Sequence, residues 1–230
     1  MQNLNEKPVG IGDRINEFIQ KHRKPIFITA VAVFLVLIIC IVFISLLDVF
    51  REKAIVTVEN LNSRYEVLRP EITGEESESD PENDALIAQL LEELESFANK
   101  SLFGYARGRA WLIVGVMYSD MKDWEQAEKA WLAAAKAAGK THLVPVAYFN
   151  AGAAAEEQGK PEDAISCYAK CLSADFPAST RAQFAIGRLW ESLNDDTAAL
   201  EAYRSVISGW PHDSVWVNLA HSRIIALEAK

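Results

Sequence analysis

Cys167 and Cys171, four residues apart on one predicted helix, are the nearest thing to a reactive pair in this 230-residue chain. That spacing puts both sulfurs on one face, which suits either a redox pair in an oxidising compartment or two thiols packed in an interface. A disulfide across a single helical turn would strain the helix, and Cys171 falls where a small residue facing the neighbouring helix is expected, so the spacing favours buried thiols. Cys40 lies inside an apolar run. His22, His142, His212 and His221 are scattered, none four residues from another histidine or within a zinc-type motif, and read as surface or capping residues. Gly10-x-Gly12 follows no strand and makes no phosphate cradle. Glu71, Glu75, Glu76, Glu78, Asp80, Glu82 and Asp84 crowd one segment, but their order matches no calcium loop. The expectation is a protein that is not an enzyme, with no catalytic residue, metal site or cofactor. Its function then lies in surfaces and in the elements that shape them.

Those elements carry a recurring pattern. Trp111, Gly115, Tyr118, Ala127 and Trp131 make a first copy; Gly152, Ala164 and Tyr168 a second; Gly187, Ala199 and Tyr203 a third, at a period of roughly 35 residues, the length of a stacked helix pair. In each copy the glycine precedes the alanine by twelve residues, near the middle of one helix and the start of the next, so that antiparallel backbones approach closely and bulky residues fill the rest. Turn chemistry agrees. Asp123 and Asp195 stand at N-cap positions, Pro161 at a first helical position, and Gly159 and Asn194 suit the left-handed residue ending a helix. Phe176-Pro177 and Trp210-Pro211 are expected to stop the second helices of copies two and three.

This pattern resembles the tetratricopeptide repeat, with its W-x2-L-G-x2-Y first helix and A-x3-F second helix, over residues 108 to 213. Two departures are Gln183 in place of the first aromatic of copy three and Ala137-Ala138-Gly139 in place of a closing proline in copy one. The resemblance implies an all-α, right-handed solenoid of helical hairpins with repeats at 108–141, 145–178 and 179–213. Residues 214–230 follow as a C-terminal capping helix, with Val215, Leu219 and Ile224 at amphipathic spacing. Phe97 stands thirty-four residues before Trp131, so 48–107 is expected to hold a degenerate opening repeat. The resemblance also implies a concave groove lined by first helices. Projected onto this chain, its positions are Arg109, Leu112 and Val116, then Val146, Phe149, Asn150 and Ala153, then Arg181, Phe184 and Arg188. Leu112, Val116 and Phe149 replace the Lys/Asn set with which some family members clamp a terminal carboxylate. An apolar groove edged by three arginines suits an extended hydrophobic segment or an amphipathic helix with some negative charge. The other reading is that the cap or the opening helices cover Phe149 and Phe184.

Upstream, residues 25–47 contain no charge, and 17 of them are Ile, Leu, Val or Phe. At the usual apolar increments this run favours insertion by roughly 5 to 10 kcal/mol. Its length of about 35 Å spans a bilayer core with some tilt. Ser45-Leu46-Leu47-Asp48 offers no small-x-small cleavage site, so the run reads as an uncleaved signal anchor that contacts lipid. Lys7, Arg14, Lys21, Arg23 and Lys24 precede it, against Arg51, Lys53 and Arg64 after it. That bias puts residues 1–24 in the cytoplasm as a tail and the repeats outside. Ile11, Ile15, Phe18 and Ile19 form an apolar stripe in the tail, for the headgroup layer or for a weakly ordered segment.

The net charge of −9 is local, because removing the seven carboxylates of 71–84 leaves 23 basic against 25 acidic residues. No basic face emerges for nucleic acid. The segment 70–84, with Pro70, Gly74 and Pro81, reads as a solvated loop between membrane-proximal helices. The whole plan, one anchor and a small outward repeat domain, resembles the single-pass repeat proteins that accompany the bacterial Sec translocon and hand exported chains to periplasmic chaperones. That implies a single-pass inner-membrane adaptor with chaperone-like action, whose partners are a translocon, a periplasmic chaperone or an exported client. The alternative is a permanent scaffold subunit of an envelope assembly complex.

Overall fold

The computed structural model describes residues 10–74, 81–173 and 175–229, which are mostly helical. Among the described residues ten helices follow in order: α1 (Ile11–Lys21), α2 (Arg23–Thr73), α3 (Pro81–Lys100), α4 (Gly104–Asp120), α5 (Trp124–Ala137), α6 (Leu143–Glu157), α7 (Pro161–Cys171), α8 (Ser179–Ser192), α9 (Asp196–Gly209) and α10 (Ser214–Glu228). The chain divides into two units, residues 1–50 and 51–230.

The first unit contains α1 and the apolar stretch of α2. That stretch is long and apolar enough to cross a membrane, and its most apolar part is not buried against the rest of the protein. Phe, Ile, Leu and Val side chains stand exposed all along it. Its Thr29 hydroxyl donates to the Pro25 carbonyl, 2.8 Å away, so the helix itself satisfies that polar group. The stripe of Ile11, Ile15, Phe18 and Ile19 is helical and exposed on α1.

In the second unit each helix from α3 to α10 packs on the next in sequence, the one-dimensional contact pattern of a solenoid. Val58, Leu61 and Tyr65 of α2 share a core with Ile87, Leu90, Leu94 and Ala98 of α3 and with Ala106, Ala110, Ile113, Val114 and Met117 of α4. Tyr65 and Arg69 both donate to the Asp120 carboxylate, which ties α2 to the end of α4. Burial, with Asp120 alongside, holds the Tyr65 phenol above its ordinary range.

Three hairpins, α4–α5, α6–α7 and α8–α9, turn by one device. A residue with φ near +60° to +70° ends each first helix: Lys122, Gly159 and Asn194. The next amide reaches back five residues, Asp123 to Tyr118, Lys160 to Ala155 and Asp195 to Trp190, at 2.9 to 3.0 Å. The second helix then starts on a cap: Asp123 accepts from the Gln126 amide at 3.1 Å, Asp195 from Ala198 at 2.9 Å, and Pro161 opens α7. Lys122 carries the left-handed cost of a β-carbon, roughly 1–2 kcal/mol, that Gly159 avoids.

The repeat glycines make room for rings more than for backbone. A β-carbon on Gly115 would lie 2.4 Å from the Trp131 indole, on Gly152 2.8 Å from the Tyr168 ring, and on Gly187 2.6 Å from the Tyr203 ring. Backbone approach of the expected kind occurs at Gly108, where a β-carbon would meet the Ala138 main chain at 2.9 Å.

Three expectations need correction. The acidic loop 70–84 is shorter: α2 runs through Pro70 to Thr73 and α3 starts at Pro81, while 75–80 lie outside the described residues. Asp120 holds Arg69, so the turn before Pro70 is anchored and the helix continues past it. Pro177 does not stop α7, which ends at Cys171 where Leu172 turns extended; the Ser179 hydroxyl then donates to the Ser173 carbonyl and accepts from its amide, fixing the link. Pro211 does follow the end of α9, one residue after its cap Trp210. On α10, Val215 and Leu219 face away from the stack, which is met instead by Trp216, Val217, Ala220, Ile224 and Leu227. Trp216 sets that rotation by lodging its ring against Phe184, with centroids 5.3 Å apart.

Candidate partner-binding groove

The ten projected groove residues divide into four groups. Arg109 of α4 is spent on Glu59 of α2, donating from Nε at 3.0 Å and from its terminal nitrogen at 3.3 Å. Leu112 is 5 % exposed, inside the core between α4 and α5–α6, so it is no groove residue: the face carrying it is the one on which the next hairpin stacks. Val116 and Val146 are half-buried and pack against core clusters, while Asn150 and Ala153 are half-buried on α6.

The remaining four come together. Phe149, Arg181, Phe184 and Arg188 line a concavity of about 220 Å³ with Glu156, Tyr168, Ala185 and Trp216. A second, of about 470 Å³, shares Phe184 and Arg188 and adds Glu191, Ser192, Tyr203 and Arg223. Aromatic rings form the floor. Phe149 sits 5.5 Å from Tyr168 and 6.0 Å from Phe176; Phe184 sits 5.2 Å from Tyr203 and 5.3 Å from Trp216. The cap therefore touches Phe184 through Trp216 without closing the hollow, and both phenylalanines are half-buried rather than sealed.

A polar ladder runs beside the rings. The Glu156 carboxylate accepts from the Tyr168 hydroxyl at 2.6 Å and pairs with Arg188. Thirty-five residues on, Glu191 accepts from the Tyr203 hydroxyl at 3.0 Å and pairs with Arg223, whose Nε lies at 3.2 Å. Each rung links a first helix, its own second helix and the following first helix. Burial, reinforced by the bond to Glu191, pushes the Tyr203 phenol up to about 12, and burial with Glu156 raises Tyr168 in the same sense. Both phenols thus stay protonated donors at neutral pH. The ladder has no rung in α4–α5: among the described residues the buried Trp131 indole nitrogen has no acceptor, and Ser119 stands where Glu156 and Glu191 do.

Arg181 differs from its neighbours. Its guanidinium lies 5.2 Å over the Phe149 ring, the side chain is exposed, and among the described residues it has no carboxylate partner. A cation on an aromatic face beside an apolar hollow is equipped to take a carboxylate next to an apolar side chain.

The sequence pattern marks Tyr168 and Tyr203 only as packing residues and does not single out Glu156, Glu191, Trp216 or Arg223 for the groove. The signal was present, since Glu156/Glu191 and Arg188/Arg223 share the 35-residue spacing of the glycines. The cysteines lie away from the groove. Cys167 and Cys171 are buried free thiols, and burial pushes Cys171 up to about 12 and raises Cys167, which leaves neither as a reactive thiolate.

Sequence profiles of the tetratricopeptide repeat match residues 107–175 and 149–214. A "TPR repeat-containing protein" of Treponema pallidum (strain Nichols) is 30% identical over 226 residues, covering 93% of either chain. Among solved structures, a Podosopora anserina putative kinesin light chain with nearly identical TPR-like repeats aligns at a TM-score of 0.48 and 12% identity, over 68% of this chain and 77% of that one. Register, turn devices and a relative alignable over nearly the full length agree, and the chain belongs to the tetratricopeptide repeat proteins.

Proposed function

We propose that this protein is a single-pass adaptor of the bacterial inner membrane, anchored by residues 25–47 with its N-terminus in the cytoplasm, whose outward-facing repeats hold a segment of a protein partner. The observation that carries the binding reading is the hollow between Phe149, Phe184 and Trp216 with an unneutralised Arg181 at its edge. An apolar side chain fills the hollow and an adjacent carboxylate meets Arg181. The exposed apolar helix supports the anchor, and the basic cluster Lys21 to Lys24 supports the orientation. Holding the groove at a membrane raises its effective concentration for membrane-delivered partners, so a weak contact suffices. The plan fits assistance at the secretory machinery, with exported chains or a periplasmic chaperone as ligands.

Photocrosslinkers placed at Phe149 and Phe184 in intact membranes test this. An adaptor gives adducts with several exported chains, and a permanent scaffold gives one stoichiometric partner. Adducts from an exposed second-helix position such as Glu201, with none from the groove, reject both. Protease protection of the repeats on the cytoplasmic side rejects the outward orientation.

A further inference from the structure

α1 has no role in the span or in the groove, yet its surface is sorted. Ile11, Ile15, Phe18 and Ile19 recur every three or four residues and share one face, and each is at least 48 % exposed. Arg14 and Lys21, seven residues apart, follow one edge of that stripe, while Asn16, Glu17 and Gln20 take the opposite face. Arg23 and Lys24 stand just beyond. From Ile11 to Lys24 the sequence holds four Lys or Arg residues against two carboxylates. Arg14, Lys21, Arg23 and Lys24 are exposed, and among the described residues none has a carboxylate partner.

The stripe is continuous with the apolar surface that follows it. A shallow hollow of about 700 Å³ runs from Phe18 and His22 to Ile26, Val33 and Leu37 of α2. α1 ends at Lys21 and α2 begins at Arg23, and Pro25 has no amide to give the Lys21 carbonyl, so the chain is free to bend at this junction.

Resting on the anchor reading above, we propose that α1 is an interfacial helix that binds anionic lipid headgroups on the N-terminal side of the span. Tethering and charge identify the occupant. The 11 residues of α1, about 16 Å of helix, directly precede the span, so the headgroup layer is the surface within their reach. Laid there, the stripe enters the acyl boundary, Arg14 and Lys21 at its edge meet lipid phosphates, and Glu17 faces water. Four apolar side chains hold a helix only weakly at an interface, so the cations decide the attachment, and it depends on lipid charge. The anchor thereby gains a preference for anionic membrane.

The test uses the full chain with Cys40→Ser, which leaves only the two buried native thiols, carrying an environment-sensitive nitrobenzoxadiazole label on Ile15→Cys, Gln20→Cys or Val36→Cys. Each is reconstituted in vesicles of phosphatidylcholine alone or of equal parts phosphatidylcholine and phosphatidylglycerol. On the mixed vesicles the Ile15→Cys label is expected to shift to the blue while the Gln20→Cys label stays aqueous. Arg14→Gln and Lys21→Gln are each expected to lower the immersed-to-aqueous ratio at Ile15→Cys about fivefold. The Val36→Cys label should be immersed in both lipids. An aqueous Ile15→Cys label beside an immersed Val36→Cys label overturns this proposal alone, whereas an aqueous Val36→Cys label overturns the anchor and this proposal with it. An Ile15→Cys shift of equal size in both lipids also overturns it, since the stripe is then covered by neutral lipid or by a second copy of the chain.

Discussion

Arg109 and Arg181 hold the same place in the repeat, six residues before Gly115 and Gly187, yet they meet different surroundings. Arg109 is neutralised by Glu59, and its helix α4 shares a core with α2 and α3. Arg181 lies open over Phe149 at the edge of an apolar hollow. The ladder repeats the contrast: Tyr168 and Tyr203 reach Glu156 and Glu191, whereas Trp131 in the first hairpin finds no acceptor among the described residues. The repeat thus decides where a side chain stands, and segments outside it decide whether that side chain is available. α2 and α3 close the first hairpin, while α10 leaves the last two open.

The packing that the hairpins share should be the hardest to perturb without loss. Gly187→Leu forces a side chain into the Tyr203 ring, an overpacking cost of about 3 kcal/mol. For a chain of this size that lowers the melting temperature by roughly 6–12 °C. Gly115→Leu, against Trp131, should cost as much when melting is followed by circular dichroism. If only one of them destabilises, the shared packing fails as a description.

The caps come next. Asp123→Ala and Asp195→Ala each remove one side-chain bond to a helix-start amide and should each cost about 1 kcal/mol in thermal or urea unfolding. Equal effects mean that the hairpins are locally alike despite their different surfaces.

Glu59→Gln then probes the difference itself. Glu59 is substantially exposed, so losing the pair should cost under about 1 kcal/mol of stability. It also frees Arg109, so binding of acidic, leucine-containing peptides should rise at the first hairpin in a fluorescence titration. No gain would mean that α2 blocks that face by shape and not by charge.

The smallest effect is in alkali. The Tyr203 and Tyr118 phenols are each pushed up to about 12, by burial first and then by Glu191 and Glu95 respectively. A raised folded value means the protonated phenol is favoured on folding. Its contribution is whole below about pH 10, the ordinary tyrosine value, and is lost as pH rises from 10 through 12. Melting temperature should fall across that window, and less steeply in Tyr203→Phe.

Features set by a few consecutive residues were legible in the sequence. Asp123, Asp195, Pro161, Gly159 and Asn194 each act within one turn of the chain, and each stands where its chemistry points. Lys122 was not legible, because a lysine at positive φ is held there by the turn around it and not by its own preference. Distant contacts decided the rest. Leu112 is buried by the following hairpin, and Arg109 is taken by a residue fifty positions upstream. The Trp216–Phe184 contact rotates α10 so that Val215 and Leu219 face outward. Periodicity locates a face on a helix but not the neighbour that covers it.

The most direct test of this asymmetry is the yield of partner crosslinked through Phe184 in membranes carrying Arg181→Gln or Arg109→Gln. A charge-assisted bond of about 1.4 kcal/mol corresponds to a tenfold change in affinity. Arg181→Gln should therefore lower the yield about tenfold while Arg109→Gln leaves it unchanged. Equal losses from the two variants, or none from Arg181→Gln, would contradict a groove open only in its C-terminal half.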